Sequence, residues 1–253
     1  MREDLRPPFD FLTMRRWQAL LGDFSHALAL ERLGHRLTQR ILWRIETTER
    51  AVALSFDDGP HPRCTPAMLE VLERYRVPAT FFLIGRNVEK HPALARRIAQ
   101  NGHEIGNHTF SHRILPLLGD EEARREIRVA GEIISATTGF MPAFLRPPMG
   151  LFIKRTMDLI EECGHTAVVG DVYPRDPHHP GCHKIYQRVI SRVRPGSIII
   201  LHDGGNTRHV DRSQTVEATE KIILQLHNEG YRFLTISNLT RLKPFQQLGS
   251  LTS

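Results

Sequence analysis

From residue 51 onward, the chain alternates between short apolar runs and longer stretches whose hydrophobic residues recur at helical spacing. The apolar runs are rich in Val, Ile, Leu and Phe, which is typical of strands buried on both faces. Seven runs predict strands, at 51–56, 79–84, 104–107, 143–146, 166–170, 197–201 and 232–236. Helices are predicted between most of them, at 66–76, 91–101, 120–138, 153–163, 183–193 and 214–228. Such alternation of strand and helix predicts a parallel sheet.

Polar residues follow the ends of five of these predicted strands. They are Asp57 and Asp58, Asn107 and His108, Arg146, Asp171 with Asp176 soon after, and His202 with Asp203. In a parallel α/β barrel the carboxyl ends of all strands meet at one face, where the active site is built. An open sheet would gather its chemistry at a switch point, from fewer strands. The spread over five strands therefore favours a (β/α) barrel of about seven parallel strands.

Before the barrel pattern begins, residues 14–45 carry hydrophobic residues at mostly helical intervals, with arginines between them. This pattern predicts one or two amphipathic helices. We therefore divide the chain into an N-terminal helical extension at 1–48, a barrel domain at 49–240 and a C-terminal tail at 241–253. The extension is expected to pack on the barrel, although a basic helix lying on an anionic membrane is the alternative.

Composition and charge limit the classes of function. The 253 residues are 40% hydrophobic and 25% charged, as in a globular protein with one large domain. The net charge of +6 permits attraction to anionic surfaces. However, the chain has no zinc-finger spacing, no aromatic RNA-binding strand and no dense basic run, so we expect no nucleic-acid partner. The oligomeric state stays open.

The cysteines and the N-terminus bear on the compartment. Three cysteines without a C-x-x-C pair do not suggest a disulfide framework. The first residues are too charged and too rich in proline for a signal peptide, and no run reaches the length of a membrane span. A cytoplasmic location is therefore expected, unless a leader was removed.

The stretch S-F-D-D-G-P, residues 55–60, places two aspartates at the end of the first predicted strand. An Asp-Gly pair alone is ordinary turn chemistry. In a regular strand, however, neighbouring side chains point to opposite faces, so one aspartate must lie past the strand end if both are to reach the barrel mouth. Two carboxylates in different surroundings can then hold different roles.

Two pairs of histidines have the spacing H-x-x-x-H. His108 and His112, with one aspartate, make a ligand set of two histidines and one carboxylate that leaves positions open for water and substrate. His179 and His183 lie in a loop with His178 and Cys182, which could form a compact zinc site. That loop lacks a partner elsewhere in the chain and has no paired carboxylate to activate a bound water, so we interpret it as a polar rim.

Five stretches, in order, resemble the motifs of the polysaccharide deacetylase family, carbohydrate esterase family 4, whose catalytic unit is the chitooligosaccharide deacetylase homology domain. They are S-F-D-D-G-P, H-T-F-S-H, R-P-P-M-G, the region of Asp176, and L-H-D. The resemblance implies a distorted (β/α) barrel with a divalent metal, most often Zn²⁺, with Co²⁺, Ni²⁺ or Mn²⁺ possible. It also implies that Asp58, His108 and His112 are the metal ligands.

The same resemblance implies a catalytic role for four further residues. Asp57 matches the general base, Arg146 the arginine that orients it, His202 the general acid, and Asp176 the carboxylate that tunes the acid. The implied reaction is hydrolysis of N-acetyl groups on a carbohydrate containing N-acetylglucosamine, such as a chitooligosaccharide, peptidoglycan or a related glycan.

The chain departs from the family pattern in three places and leaves other functions open. Met149 stands where an aromatic residue is common, Tyr173 replaces a frequent polar or acidic residue, and Pro177 stands where a tryptophan often lines the sugar site. Fewer aromatic platforms weaken the case for a long polymer. The alternatives are an amidohydrolase of the same fold acting on a non-sugar C–N bond, and a non-catalytic carbohydrate-binding protein. An iron oxygenase using the same triad is less consistent with the extra Asp57.

Overall fold

The computed structural model describes residues 40–205 and 210–242. The strands in these ranges are β1 Ile41–Leu42, β2 Ala51–Gly59, β3 Thr80–Leu83, β4 Glu104–Asn107, β5 Phe144–Leu145, β6 Thr166–Val168, β7 Ile198–His202 and β8 Arg232–Phe233. The helices are α1 Cys64–Tyr75, α2 Gly85–Lys90, α3 Pro92–Gln100, α4 Asp120–Thr138, α5 Lys154–Glu162, α6 Cys182–Ile190, α7 Ser213–Asn228 and α8 Ile236–Thr240. Short 3₁₀ turns lie at Leu115–Leu117, Pro148–Gly150 and Asp176–His178.

The strands form one parallel sheet in the order β1-β6-β5-β4-β3-β2-β7, and β8 pairs with the start of β2. Isolated bridges between Arg44 and Ser197 and between Val172 and Ile199 connect the two ends of this order. The sheet therefore curls, and in the described residues isolated bridges join its two edges. This arrangement confirms the predicted distorted (β/α) barrel.

Strand β2 is buried along its whole length, and its side chains divide between two cores. One set, Val52, Leu54 and Phe56, packs in the layer beneath α1 and α7. The other set begins with Ala51 and Ala53, which pack in an inner cluster with residues of β3, β6 and β7. Because side chains alternate along a strand, Asp57 continues this inner set and points into the mouth of the barrel.

The predicted N-terminal helix is wrong where the structure describes it. Ile41 and Leu42 form β1 and pair in parallel with Ala167 and Val168 of β6. Ile41 and Ile45 are buried. Pairing with the open edge of β6 satisfies the backbone of this segment, and that tertiary contact overrides its helical spacing. The rest of the prediction, including the basic helix on a membrane, lies in residues 1–39, outside the described residues, as do residues 243–253 of the tail.

The last apolar run also differs from its prediction. The run 232–236 was expected to be one strand, but β8 covers only Arg232–Phe233. Helix α8 begins at Ile236 because the Thr235 side chain accepts a hydrogen bond from the Asn238 amide and so caps the helix. Across the part of the chain that the structure describes, no helix has the length and apolar character needed to cross a bilayer.

Candidate active site

The two neighbouring aspartates both lie inside β2, which runs on to Gly59. The expectation that one of them lies past the strand end is therefore wrong. The register with β3 shifts between Asp57 and Gly59, so that Asp58 forms a bulge, and its φ of 71° is in the left-handed region. A bulge releases a residue from the strict alternation of a strand and re-aims its side chain. Asp57 and Asp58 thereby reach the same site from within one strand.

Asp58 faces the two histidines of the first H-x-x-x-H pair. Its Oδ1 atom lies 3.2 Å from Nε2 of His112 and 3.5 Å from Nε2 of His108. Potential ligand atoms of the three residues lie within 4.8 Å of one another. Asp58 and His108 are buried, and His112 is half-buried. Strand β2 and the loop after β4 thus bring one carboxylate and two imidazoles to one point.

These three side chains fit a divalent cation. Bonds of 2.0–2.2 Å in tetrahedral geometry would separate two ligand atoms by about 3.3–3.6 Å, close to the distances from Asp58 to the two rings. The Oδ1 atom of Asp58 is buried and accepts no hydrogen bond from the described residues. Nδ1 of His108 lies 2.7 Å from the carbonyl oxygen of Arg146 and donates its proton there, which leaves Nε2 free as a ligand.

The protonation states of the cluster agree with this role. Burial lowers the pKa of His112 to about 4, and the neighbouring His108 acts in the same direction. Burial by itself would raise the pKa of Asp58, but the interactions with His108 and with the positive charge of His202 outweigh it, so the pKa lies below its usual range. At neutral pH the cluster therefore offers a carboxylate and an unprotonated His112, the forms that bind metal.

Asp57 has a different partner. The Arg146 guanidinium donates a hydrogen bond of 2.5 Å from its Nη1 to Oδ1 of Asp57, and both side chains are buried. The guanidinium also lies 4.1 Å from the ring centroid of Phe82. Burial lowers the pKa of Arg146, but the Asp57 carboxylate opposes that effect. The pair holds Asp57 in a fixed orientation at the bottom of the mouth.

His202 lies on the other side of Asp57, at the end of β7, and the two residues are register partners across the strands. Asp176 accepts two hydrogen bonds from His202, one from Nδ1 at 3.0 Å and one from the backbone amide at 3.0 Å. Burial alone would lower the pKa of His202, but the charge of Asp176 raises it to about 9. The Thr215 hydroxyl donates a further hydrogen bond to Asp176. His202 is therefore an imidazolium at neutral pH, and because Nδ1 bonds Asp176, Nε2 is its other N–H donor.

The second histidine pair and Asp171 do not join this site. Nδ1 of His179 lies 2.8 Å from the Gln214 amide nitrogen. Asp171 accepts hydrogen bonds from the start of β7. In residues 40–205 and 210–242, Asp58, His108 and His112 are the one group of three such side chains close enough to share a cation.

Sequence reasoning missed the residues that shape the bulge. The Asn87 side chain in α2 donates a 2.9 Å hydrogen bond to the Asp58 carbonyl. The Asp203 amide donates to the Asp57 carbonyl at 3.2 Å, and the Thr65 hydroxyl donates to the Asp203 carboxylate at 2.5 Å. Asp203 was visible in L-H-D beside His202, whereas no local pattern distinguishes Asn87 or Thr65.

Comparison with known proteins agrees with this geometry. The family model for polysaccharide deacetylase matches residues 44–168. A peptidoglycan-N-acetylglucosamine deacetylase of Bacillus cereus is 38% identical over 81% of this chain and 95% of its own length. A chitooligosaccharide deacetylase of a Bradyrhizobium species is 39% identical over 75% of this chain and 90% of its own.

Among solved structures, a peptidoglycan N-acetylglucosamine deacetylase in complex with 4-naphthalen-1-yl-N-oxidanyl-benzamide superposes with a TM-score of 0.76 at 33% identity. The match covers 87% of this chain and 97% of that one. Sequence identity and fold thus agree over most of both chains. The chain belongs to the polysaccharide deacetylase family.

Proposed function

We propose that this protein is a metal-dependent deacetylase that hydrolyses the N-acetyl group of an N-acetylglucosamine residue in a glycan. The observation that carries the proposal is the placement of Asp57 and His202. They are register partners on β2 and β7, and Asp57 directly precedes Asp58 of the Asp58, His108 and His112 cluster. A proton acceptor and a proton donor therefore stand beside a site suited to a cation, as amide hydrolysis requires.

Asp58, His108 and His112 would hold the cation. One carboxylate and two imidazoles suit Zn²⁺, and Co²⁺, Ni²⁺ or Mn²⁺ are the alternatives. A divalent cation held there supplies polarisation of the acetyl carbonyl and lowers the pKa of a water molecule at the site.

Asp57 is proposed as the general base. Its carboxylate accepts the proton of the attacking water, while the hydrogen bond from Arg146 holds it in place.

His202 is proposed as the general acid. The raised pKa of about 9 keeps it protonated at neutral pH, so that it can donate a proton to the departing amine. Asp176 orients the ring through Nδ1 and stabilises the imidazolium. The amides of Gly150 and Leu151 are hydrogen-bonded to carbonyls within their turn, so we assign the Met149 amide as the donor to the developing oxyanion.

The substrate is proposed from the relatives and from the mouth of the site. The relatives are named as deacetylases of chitooligosaccharide and of peptidoglycan, and we extend that class to this chain. Met149 at the mouth is 70% exposed, and Tyr173 stands near His202 with ring centroids 6.1 Å apart. The Tyr173 ring beside His202 provides a stacking surface for the sugar at the reaction site.

Mass spectrometry of chitooligosaccharides and peptidoglycan fragments, after incubation with zinc-loaded protein, tests the proposal. We expect each product to lose the mass of an acetyl group, and we expect no change with metal-stripped protein. Intact glycans after incubation with loaded protein would contradict the proposal. Hydrolysis of a non-sugar amide under the same conditions would instead support an amidohydrolase of the same fold.

A further inference from the structure

A cleft of about 410 Å³ lies beside the loop that carries the candidate metal ligands. Its walls come from α2, α4 and the loop after β4, and the lining residues are Arg86, Phe110, Ser111, Arg113, Glu122, Arg125, Glu126 and Val129. Helices α2 and α4 begin at the face of the barrel where the strands end, so the cleft lies on the side of the site. Two of its lining residues, Ser111 and Arg113, flank His112 in the chain. We call it the arginine cleft.

The walls of the arginine cleft are tied to the loop between His108 and His112. The Arg86 amide of α2 donates to the Phe110 carbonyl at 2.9 Å, and the Phe110 amide donates to the Glu126 carbonyl of α4 at 2.9 Å. The Glu126 carboxylate accepts from both the amide and the hydroxyl of Ser111. The cleft therefore exists before any ligand binds, and its position relative to His112 is fixed by hydrogen bonds.

The charge in the arginine cleft is unbalanced. Three arginines and two glutamates line the cleft, which leaves one excess positive charge. Arg113 pairs with Glu122, and the Glu126 carboxylate accepts hydrogen bonds from Ser111 and, among the described residues, not from an arginine. Arg86 and Arg125 are exposed, and neither makes an ion pair with any carboxylate in the described part of the chain. A planar guanidinium binds a carboxylate or phosphate through two parallel hydrogen bonds. Two unpaired arginines on one cleft are thus suited to a single anionic group.

The cleft also has an aromatic wall. Phe110 is half-buried, and the Arg86 guanidinium lies 5.8 Å from its ring centroid. Aromatic rings offer a broad apolar surface for packing, and a cation above such a ring gains further attraction. An apolar ring face with charged groups at its edge fits a sugar ring that carries an acidic substituent better than it fits a bare anion.

We propose that the arginine cleft binds a carboxylate-bearing sugar that neighbours the residue to be deacetylated. This inference rests on the proposed function, because it names the substrate class of that same site. Arg86 and Arg125 hold the carboxylate, Phe110 packs against the ring, and the next sugar reaches the cluster of Asp58, His108 and His112. The protein accordingly prefers an acidic glycan over a neutral glycan of the same length.

Two ligands that differ only in the charge of one substituent separate the effect of the carboxylate on binding from the effect of the sugar's shape. The first is a short peptidoglycan fragment without peptide, whose alternate sugars carry a lactyl carboxylate, and the second is the same fragment with each carboxylate converted to an amide. Isothermal titration calorimetry gives an affinity for each, with zinc-loaded protein that carries Asp57→Asn throughout so that the ligands are not hydrolysed during the titration. We expect the acid to bind about tenfold more tightly than the amide, with the difference falling as salt increases.

Variants then test which residues carry that preference. Arg86→Gln and Arg125→Gln should each lower affinity for the acid by about threefold to tenfold and leave affinity for the amide unchanged. Arg125→Lys should retain part of the preference, because it keeps the charge. Arg128→Gln is the control: Arg128 is an exposed arginine of the same helix that does not line the cleft, and its removal should change neither affinity.

Equal affinity for acid and amide in protein that has both arginines would overturn the inference, as would a preference that survives in the double variant of Arg86 and Arg125. Because calorimetry does not depend on turnover, it can reject the arginine-cleft inference independently of the proposed deacetylase function. Binding of the acid that requires both arginines, without any loss of acetyl groups, would support the arginine cleft and reject the deacetylase reaction. Loss of acetyl groups at equal rates from acid and amide would support the deacetylase reaction and reject the arginine cleft as a binding site for the carboxylate.

Discussion

Asp57 and Asp58 are neighbours in the chain, but their surroundings give them different chemistry. Asp57 is held by the buried Arg146 guanidinium. Asp58 faces two imidazole nitrogens and has a buried oxygen without a hydrogen-bond donor among the described residues. The first arrangement suits a fixed proton acceptor, and the second suits a ligand.

The roles of the two aspartates can be separated by one substitution. Asp57→Asn cannot accept a proton, so we expect kcat to fall by about 10²- to 10⁴-fold while the protein keeps one metal ion per chain. Unfolding free energy should fall as well, because the variant leaves the buried Arg146 cation without a carboxylate. Elemental analysis after dialysis, together with steady-state kinetics, measures both. Loss of the metal would show that Asp57 is itself a ligand.

The pH profile tests His202. The pKa of about 9 means that the imidazolium is present below that pH, so kcat should fall as pH rises through about 9. In Asp176→Asn the charge that raises the pKa of His202 is lost, while burial still lowers that pKa. The fall of kcat on the basic side of the pH profile, its basic limb, should therefore move to lower pH. Thr215→Val, which removes only a hydrogen bond to Asp176, should shift the limb less. If the basic limb of the kcat profile stays at the same pH in Asp176→Asn, His202 is not the general acid.

At the scale of elements, the bulge in β2 determines where the Asp58 side chain lies in the site. It is held by groups from three other elements: the Asn87 side chain of α2, the Asp203 amide after β7 and, through the Asp203 carboxylate, Thr65 of α1. Gly59 allows this packing, because a β-carbon at that position would lie 2.6 Å from Oδ1 of Asp203. The position of Asp58 therefore depends on contacts at the end of its own strand.

Gly59→Ala is expected to disturb the bulge. The added methyl group meets the Asp203 carboxylate, and such overpacking costs about 1–3 kcal/mol of unfolding free energy. Displacement of Asp58 should also weaken zinc affinity. Gly119→Ala is the control, because its β-carbon meets no atom within 4 Å and its φ of −68° suits alanine. Chemical denaturation and metal titration compare the two. Equal zinc affinity in both variants would show that the bulge is not needed to place Asp58.

At the scale of the molecule, metal binding should stabilise the fold, since the ligands come from β2 and from the loop after β4. At a free zinc concentration 100 times Kd, the gain is about 2.7 kcal/mol, which raises Tm by about 5–10 °C. The measurement is the difference in Tm with and without zinc. His108→Ala should abolish this difference, whatever its own Tm, whereas His179→Ala and His183→Ala should retain it. The opposite result would place the metal in the loop of the second histidine pair.

Much of the fold and the candidate site could be predicted from local sequence. The alternation of strands and helices, the buried character of the strands and the polar residues at the strand ends are properties of short segments. Because parallel strands bring their carboxyl ends to one face, those local positions sufficed to predict that Asp57, His108, Arg146 and His202 lie together. The catalytic and ligand roles of these residues stay predictions that the experiments above test.

Only the tertiary structure decided the features that depend on distant residues. Segment 41–42 has helical spacing but forms a strand, because the edge of β6 offers it backbone partners. Asp58 stays within β2 because groups about 30 and 145 residues away hold its bulge. The arginine cleft arises where α2 and α4 close on one loop. A sequence pattern indicates which face of a helix or strand is apolar, but it does not indicate which elements pack against each other. Each of these three features depends on contacts between elements that are distant in the sequence.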